Sequence, residues 1–285
     1  MLRNIVIVND FDYIQGGASK VAIQTANLLA NSNEKLKVFF FSAAHNSKSQ
    51  IDKKVISICT NQGEVLKDKN IIRGSINGIY NFKAKKEFKS LLKTLNKEET
   101  IIHVHGWTKA LSSSIFDISF KMRFRVILTM HDYFIACPNG GYFNYPKSEV
   151  CTLTPLSLKC IKCNCDSRNY IFKMYRIIRQ YVQNRIVKLS DRIKEVISIS
   201  AFSEEILRKT LNKHTKIYRI YNPIDIKTKI MKINYKKNKY FLYVGRISKE
   251  KGVEIFCQVI TEIGANGIVV GDGEEKTRLE KIMQI

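Results

Sequence analysis

Short apolar runs rich in β-branched and aromatic residues alternate along this chain with segments of helical periodicity. The first run, Asn4–Asn9, is followed by a polar loop and then by a segment in which Val21, Thr25 and Leu28 recur at helical spacing. Strands that alternate with helices pair in parallel through right-handed crossovers. The pattern therefore predicts an α/β fold built on a doubly wound parallel sheet.

The alternation extends over most of the chain. Further strands are predicted at residues 36–43, 54–59, 100–106, 124–132, 195–200 and 216–225. Further helices are predicted at residues 82–95, 108–120, 170–189 and 201–211. The last of these has Ser200 or Ser203 as its N-cap. New strand, turn and helix units begin at Tyr240 and at Asn266.

Two segments interrupt this pattern. From about Tyr133 to Asp166 the periodicity is lost in a loop that holds five of the seven cysteines. Residues 227–239 are basic and fit neither a helix nor a strand, so we predict a linker there. The chain is thereby divided into a Rossmann-like N-terminal domain at residues 1–226 and an incomplete second Rossmann-like domain at residues 240–285.

The chain is strongly basic, and the excess charge lies in its first part. Residues 1–240 hold 42 of the 48 Lys and Arg and 18 of the 25 Asp and Glu, a net charge of +24. Such a field favours nucleic acid, an anionic membrane surface or phosphorylated small molecules. Lysines that are merely solvated on helix faces are the alternative. Because no helix-turn-helix signature, zinc-finger spacing or RNA-binding aromatic motif is present, we predict no nucleic-acid partner.

The chain shows no signal for membrane insertion or export. No apolar run approaches the roughly 18 to 20 residues that a transmembrane helix needs. Near the N-terminus, Asn4 and Asp10 break the apolar stretch, and no small-residue cleavage site follows. We therefore predict a cytoplasmic protein.

Two places ahead of predicted helices suit a phosphate group. Gly16 and Gly17 lack a Cβ, so their backbone N–H groups can approach a phosphate or a sugar closely; a flexible turn is the alternative. Arg246 and Lys251 lie between a strand and a helix, where two cations can offset the charge of a pyrophosphate. Two surface cations in an ordinary turn are the alternative there.

Histidines mark the ends of two predicted strands. His103 and His105 alternate on one strand and so face the same side, and His131 and Asp132 close the next. At a strand's carboxyl end, a histidine can bond a substrate hydroxyl or act as an acid or base. Apolar neighbours favour His103 as a satisfied core residue, which leaves His105, His131 and Asp132 as candidate site residues. Metal ligation by the histidines has no support from cysteines or carboxylates at zinc spacing.

The cysteines in the long loop have two interpretations. Cys137, Cys151, Cys160 and Cys163 can form a tetrahedral four-thiolate zinc site, with the C-x2-C pair supplied by the last two. Reduced buried thiols are the alternative, because the first two cysteines are widely spaced. Zinc bound there would be structural and would tie down the loop.

The predicted helix at residues 170–189 interleaves aromatic and basic residues. One interpretation places it on an anionic membrane surface, at the inner face of the cytoplasmic membrane, where a lipid-linked acceptor is held. The other is an ordinary core-packing helix with a solvated basic face. Its buried stripe would then consist of Ile177, Ile178, Val182 and Ile186.

Six segments of the chain carry a joint resemblance to a known family. They are GGASKVAIQTANLL, IIHVHGW, LTMHDYFIACP, IYNPID, FLYVGRISKEKGVEIF and IVVGDGEEKTRLE. Together they resemble the GT-B glycosyltransferases of retaining family 4, over essentially the whole chain. The resemblance implies that Arg246 and Lys251 hold the diphosphate of a nucleotide-sugar donor. It also implies that Gly16 and Gly17 lie beneath the donor and that His131 faces the transferred sugar.

The resemblance implies an activity as well. It is the transfer of a sugar from a nucleotide-diphosphate donor to a glycan or lipid-linked acceptor in surface polysaccharide or lipopolysaccharide assembly, with retention at the anomeric carbon. No metal would be required for catalysis, because the cationic pair takes the place of a divalent ion. Gly271 and Gly273 match a turn near the nucleotide.

The chain departs from the family pattern in its second domain. That domain is normally longer and supplies two glutamates, spaced E-x7-E, that hold the donor. Only 45 residues follow Tyr240, and Glu274 and Glu275 lie too early to match this pair. We therefore expect a truncated reading frame. The alternative function is a non-catalytic remnant that folds its N-terminal domain and binds without turnover.

Overall fold

The computed structural model describes residues 1–224 and 234–283 and divides into two compact units. Unit 1 consists of residues 1–142, 153–163 and 169–223, and unit 2 of residues 143–152, 164–168 and the chain from 224 onward. Of the predicted linker, residues 227–233 lie outside the described residues. Each unit is described by itself below.

Eleven strands are found in the described residues. They are β1 Asn4–Val8, β2 Lys37–Ser42, β3 Ile56–Cys59, β4 Thr100–Val104, β5 Arg125–Met130, β6 Phe143–Asn144, β7 Glu149–Val150, β8 Glu195–Ser198, β9 Lys216–Arg219, β10 Tyr240–Val244 and β11 Asn266–Val270. Unit 1 is built on a seven-stranded sheet in the order β3-β2-β1-β4-β5-β8-β9. Every pair in this sheet is parallel.

Ten α-helices are found in the described residues. They are α1 Gly17–Ser32, α2 Ile71–Ile79, α3 Phe82–Lys93, α4 Ser114–Lys121, α5 Leu158–Lys162, α6 Tyr170–Tyr181, α7 Leu189–Arg192, α8 Ala201–Arg208, α9 Val253–Glu262 and α10 Lys276–Met283. Side chains of Asn70, Asn81, Asn169 and Ser200 accept backbone N–H bonds at four helix starts. A π-helical turn, Val182–Ile186, follows α6.

The apolar residues of the sheet divide between its two faces, as the two-residue period of a strand requires. On one face, Val6, Phe41 and Ile102 lie in the core that α3 and α4 cover. On the other face, Ile7 and Phe40 lie in a second core under α1. Buried parallel strands with helices on both faces confirm the predicted α/β, doubly wound architecture.

Unit 2 contains a smaller parallel pair, β10 with β11, followed by helices α9 and α10. Ile247, Val253, Cys257 and Leu279 form its apolar core. The predicted strand, turn and helix that begin at Tyr240 and again at Asn266 are therefore present. The two short strands β6 and β7 pair antiparallel within the same unit.

The structure differs from the sequence predictions in several helices. The helix α2 was not predicted, and α4 begins at Ser114 rather than at residue 108. The helix predicted at 170–189 is divided by the π-helical turn, after which Lys188 is left-handed at φ 56°. No helix within residues 1–224 and 234–283 is long and apolar enough to cross a membrane.

Candidate active site

The histidines predicted from the sequence come together at the carboxyl ends of β4 and β5. His105 Nδ1 lies 3.0 Å from His131 Nε2, and the two rings stack with centroids 5.3 Å apart. His103 Nε2 lies 2.8 Å from the Thr129 hydroxyl, which stands on the neighbouring strand. Parallel pairing of β4 with β5 explains this meeting, because it aligns the ends of both strands.

Burial keeps these three imidazoles neutral. It lowers the pKa of His103 and of His131 to about 4 in each case. It also lowers the pKa of His105 well below its usual value, and the neighbouring histidines add to this effect. At neutral pH the cluster therefore offers hydrogen-bonding nitrogens without positive charge.

Within the cluster, the structure gives His105 and His131 different positions. His105 is 3% exposed, and its Nε2 is buried without a hydrogen-bond partner among the described residues. His131 is half-buried. Its Nε2 is engaged by His105, which leaves Nδ1 as the nitrogen available to a ligand. His103 has a partner in Thr129, as a satisfied core residue should, but His105 is the more deeply buried of the two.

Asp132 follows His131 directly, and its Oδ1 accepts a hydrogen bond from the Phe134 backbone N–H at 3.0 Å. Asp132 as a whole residue is exposed to solvent, but its carboxylate is surrounded by protein atoms. This crowding raises the pKa of Asp132 above its usual value. The role of Asp132 at the site stays a prediction.

Sequence reasoning missed a carboxylate beside this cluster. The buried Asp10 lies just past β1 and accepts backbone N–H bonds from Ala110 and Leu111 at 2.8 and 2.9 Å, and from Lys109 at 3.1 Å. It thereby ties the segment after β4 to the end of β1. Burial raises the pKa of Asp10, and the three backbone bonds act in the opposite direction. A carboxylate directly after a buried strand was the only signal that marked it.

The glycine pair forms the N-terminus of α1. Gly16 has φ of 105°, and a Cβ added at either glycine would meet nothing within 4 Å, so open space lies in front of this turn. The Ser19 hydroxyl accepts from the Gln15 backbone N–H at 2.7 Å and holds the turn in place. No side chain caps the first turn of α1. The geometry is therefore compatible with a phosphate or sugar at the backbone N–H groups of Gly16 and Gly17.

In unit 2, Arg246 and Lys251 lie in the segment between β10 and α9. The Arg246 side chain is 68% exposed, and its guanidinium lies 3.8 Å from the Glu250 carboxylate. Lys251 is exposed at the end of a 3-10 turn, directly before Gly252 and the start of α9. Both cations thus occupy the predicted position near a helix N-terminus.

Gly271 and Gly273 have a packing role in unit 2. A Cβ at Gly271 would overlap the Gly245 carbonyl oxygen, and one at Gly273 would overlap that of Ile247. Backbone hydrogen bonds join the segment after β10 to the segment after β11. The Gly245 N–H donates to the Val270 carbonyl, and the Ile247 N–H donates to the Asp272 carbonyl. The close approach of these segments accounts for both glycines, and their role at the nucleotide stays a prediction.

The four predicted zinc ligands are not assembled into a metal site. Across residues 1–224 and 234–283, no group of three or more His, Cys, Asp or Glu side chains is placed to hold a metal ion. The Cys137 thiol donates to Asn139 Oδ1 at 3.1 Å, and Cys160 Sγ lies 3.6 Å from the amine of the buried Lys173. Cys137, Cys151 and Cys160 are free thiols. Zinc binding by the four cysteines and the alternative of reduced thiols both stay predictions.

Comparison with known proteins identifies the family and the fold of this chain. Residues 15–228 match the family model described as Glycosyltransferase Family 4. An uncharacterized 42.6 kDa protein in the cps region of Klebsiella pneumoniae is 25% identical over 186 residues, which cover 64% of this chain and 42% of that protein. This chain therefore spans less than half the length of that relative.

Solved structures of glycosyltransferases share the fold over 99% of this chain. The apo lipopolysaccharide outer core galactosyltransferase WaaB matches with a TM-score of 0.50 and 15% identity, over 64% of its own length. A glycosyltransferase from Rickettsia africae ESF-5 matches with a TM-score of 0.56 and 12% identity, over 65% of its length. UGT71G1 of Medicago truncatula, complexed with UDP-glucose, matches with a TM-score of 0.51 and 10% identity, over 70% of its length. These likenesses confirm the predicted GT-B fold.

Proposed function

Because the chain belongs to glycosyltransferase family 4, we propose that it transfers a sugar from a nucleotide-diphosphate donor to a glycan or lipid-linked acceptor. The observation that carries this proposal is the neutral histidine pair at the strand ends, found within the matched family region. Assembly of surface polysaccharide or lipopolysaccharide is the process we propose. A relative from a cps region and a structural neighbour that is a lipopolysaccharide galactosyltransferase support it.

In this proposal, His131 bonds a hydroxyl of the sugar that is transferred. A neutral imidazole suits that task because it can donate or accept a hydrogen bond without attracting the donor's diphosphate. His105 acts through His131 by engaging its Nε2 and so orienting the ring. The open turn at Gly16 and Gly17 gives the donor room and backbone donors.

Arg246 and Lys251 are the residues that we propose to offset the charge growing on the departing diphosphate. Preorganised cations at a leaving group are a strong source of transition-state stabilisation. With this pair present, the reaction needs no divalent ion at the leaving group. Retention at the anomeric carbon, the family expectation, completes the proposal.

A donor-hydrolysis assay tests this function. The purified chain is incubated with a panel of nucleoside-diphosphate sugars, with and without glycan acceptors, and release of nucleoside diphosphate is measured. We expect release with at least one donor, and a loss of about 100-fold in the double variant Arg246→Ala/Lys251→Ala. The exposed Lys249 in the same turn provides the control, since Lys249→Ala should leave the rate unchanged.

A second measurement separates turnover from mere binding. Calorimetric titration of the same donors reports affinity without requiring reaction. Donor binding with no release of nucleoside diphosphate would favour the alternative, a protein that binds without turnover. Equal rates in the double variant and in Lys249→Ala would contradict the role of Arg246 and Lys251.

A further inference from the structure

A small cavity opens in unit 1 beside the segment that follows β3. Its volume is about 210 Å³. The side chains that line it are all polar, and they belong to Asn61, Gln62, Asp68, Arg73, Asn77 and Lys83. Most ligand pockets are lined mainly by apolar side chains. An all-polar lining instead suits a ligand that forms hydrogen bonds on every side.

Two amides of the cavity are available to such a ligand. The side chains of Asn61 and Asn77 form no hydrogen bond with another residue in the described part of the chain. An amide side chain can donate and accept at the same time, and so can a hydroxyl group. The two amides therefore match the hydroxyl groups of a sugar ring.

The charged groups of the cavity are already engaged within the protein. The Arg73 guanidinium donates two hydrogen bonds to the Asp68 carboxylate, at 2.6 and 2.9 Å. The Lys83 amine donates to the Thr60 carbonyl at 2.8 Å. Because the guanidinium is neutralised by a carboxylate and the amine is bonded, the cavity gives little advantage to a phosphate or carboxylate ligand. Uncharged hydroxyl groups fit its chemistry better than anions do.

Hydrogen bonds fix one wall of the cavity. Gln62 Oε1 accepts from the Thr60 hydroxyl at 2.8 Å, and Gln62 Nε2 donates to Asn81 Oδ1 at 3.1 Å. Asn81 is buried and caps the N-terminus of α3. A wall that is held in this way loses little conformational freedom when a ligand binds.

Helix α2 forms the opposite wall, and its two glycines let it pack closely. A Cβ at Gly74 would lie 2.6 Å from the Val65 carbonyl oxygen, which belongs to the segment after β3. A Cβ at Gly78 would overlap the Tyr175 hydroxyl of α6. This close packing brings α2 against the segment after β3 and places Arg73 beside Asp68.

Helix α6 supports α2, and it differs from its prediction. Its inner face is polar and includes Arg179 and Gln180, which donate to carbonyls of the loop after β5. The buried stripe predicted for a core-packing helix is therefore wrong. Ile177 is buried, but the other members of the stripe are exposed or half-buried, namely Ile178, Val182 and Ile186. The wall formed by α2 thus rests on a helix that is itself held by hydrogen bonds.

The cavity lies at the same edge of the sheet as the histidines, because it follows the carboxyl end of β3. Gln15, directly before the glycine turn, donates from Nε2 to the Glu64 carboxylate at 3.5 Å. The Val65 N–H donates to the Lys109 carbonyl at 2.8 Å. The segment after β3 is therefore joined both to the glycine turn and to the segment after β4.

The order of the strands sets the distance between the cavity and His131. Strands β2, β1 and β4 lie between β3, which precedes the cavity, and β5, which precedes His131. Four strand spacings amount to roughly 19 Å. A single sugar ring does not span that distance. A molecule that fills the cavity and also reaches His131 must therefore contain further rings between the two.

We propose that the cavity holds one sugar ring of the acceptor, several rings away from the hydroxyl that receives the transferred sugar. This inference rests on the proposed sugar transfer and makes it more specific. The acceptor is an oligosaccharide or glycan chain that is already assembled, rather than a single sugar or a bare lipid. The reaction that supplies this acceptor must then itself be a glycosyl transfer.

Nuclear magnetic resonance of the isotope-labelled full chain tests sugar binding without any donor. The chain is titrated with glucose, galactose, N-acetylglucosamine and rhamnose, and with glycerol as a control for hydroxyl groups outside a ring. We expect at least one of the sugars to shift the side-chain amide signals of Asn61 and Asn77, and glycerol to leave them in place. Unchanged signals with all of these sugars would overturn the proposal, and so would equal shifts with glycerol.

A double variant and a matched control make the test specific to the cavity. Asn61→Gly/Asn77→Ala removes both amides, and glycine suits position 61 because φ there is 51°. Affinity for the sugar, followed at the Gln62 side-chain amide, should fall by about tenfold or more. Gln24 on α1 and Gln258 on α9 lie outside the cavity, so Gln24→Ala/Gln258→Ala should bind as the unchanged chain does. Equal affinities in the two double variants would contradict the proposal.

The length dependence of transfer tests the class of acceptor. Oligosaccharides of increasing length, built from the sugar that binds, serve as acceptors with the donor found in the hydrolysis assay. We expect Asn61→Gly/Asn77→Ala to raise the acceptor KM about tenfold for the longer acceptors only, and to leave the donor KM unchanged. The same rise with a single-ring acceptor would overturn the proposal. Sugar binding in the cavity without any transfer would support the site and contradict the proposed function, so the two failures are distinguishable.

Discussion

Burial of polar side chains has different consequences at the strand-end histidines and at α6. The histidines are neutral because burial disfavours their charged form, and the bond between His105 and His131 leaves one ring nitrogen of His131 available. In α6, the buried side chains Lys173 and Arg179 are cationic. Arg179 donates to the Pro138 carbonyl in the loop after β5, and Lys173 Nζ lies 3.6 Å from Cys160 Sγ in α5. The first arrangement prepares a site for a ligand. The second stabilises a loop and, as its consequence, turns an apolar face outward.

The largest effect that distinguishes these regions is expected at Arg179. Arg179→Ala removes the bond to the Pro138 carbonyl and the contact with the Phe134 ring, and leaves a buried carbonyl unsatisfied. We expect the free energy of unfolding to fall by about 3 kcal/mol. Urea denaturation measures it. Arg185→Ala, at an exposed position after α6, is the control and should change it by less than about 0.5 kcal/mol. Equal losses in both variants would show that Arg179 does not hold the loop.

The histidine cluster is expected to show itself in the acid dependence of stability. The unfolded chain protonates His103 near pH 6.5, whereas folded His103 stays neutral down to a pKa of about 4. The contribution of the neutral ring is therefore complete above about pH 6.5 and is lost as the pH falls toward 4. The difference corresponds to about 3 kcal/mol. Urea denaturation at several pH values should show a shallower loss in His103→Asn than in the unchanged chain; identical slopes would contradict this assignment.

A smaller effect is expected where helix α2 contacts helix α6. In an exposed helix Gly→Ala is usually stabilising, but a Cβ at Gly78 would overlap the Tyr175 hydroxyl. We therefore expect Gly78→Ala to lower the free energy of unfolding by about 2 kcal/mol. Tyr175→Phe removes that hydroxyl, so the double variant should recover part of the loss. A double-mutant cycle by thermal unfolding measures the coupling, and additive effects would contradict the contact.

The sheet was predictable because buried parallel strands are apolar along their whole length. The strands from β1 to β5 were all predicted from their apolar runs. Strand β9 was also predicted, but it ends at Arg219 and is shorter than expected. Helix α2 escaped prediction because Gly74 and Gly78 face the protein and its isoleucines face solvent. A helix whose small residues are buried has no apolar stripe directed at the core.

Site residues could be predicted from the sequence only where their position along a strand determined where they lie. His105 and His131 were found because the ends of parallel strands meet at one edge of the sheet. The hydrogen bonds of Asp10 involve backbone N–H groups about 100 residues away in sequence, and no local sequence pattern predicts such partners. The polar face of α6 likewise depends on carbonyls of a distant loop, so helical periodicity alone assigned its buried stripe wrongly.

The smallest effect, and the one that separates reactivity from stability, is expected at His105. His105→Phe keeps a ring in the buried position but cannot bond His131 Nε2, and it removes a buried nitrogen without a partner among the described residues. A residue that only positions His131 should lower kcat about tenfold, leave the KM for the donor unchanged and cost no stability. His105→Asn places an amide near the position of Nδ1 and should restore most of kcat. Steady-state kinetics and thermal unfolding of both variants test this. If His105→Phe raised KM at unchanged kcat, His105 would be a ligand contact rather than a support, and the histidines would have to bind through both rings.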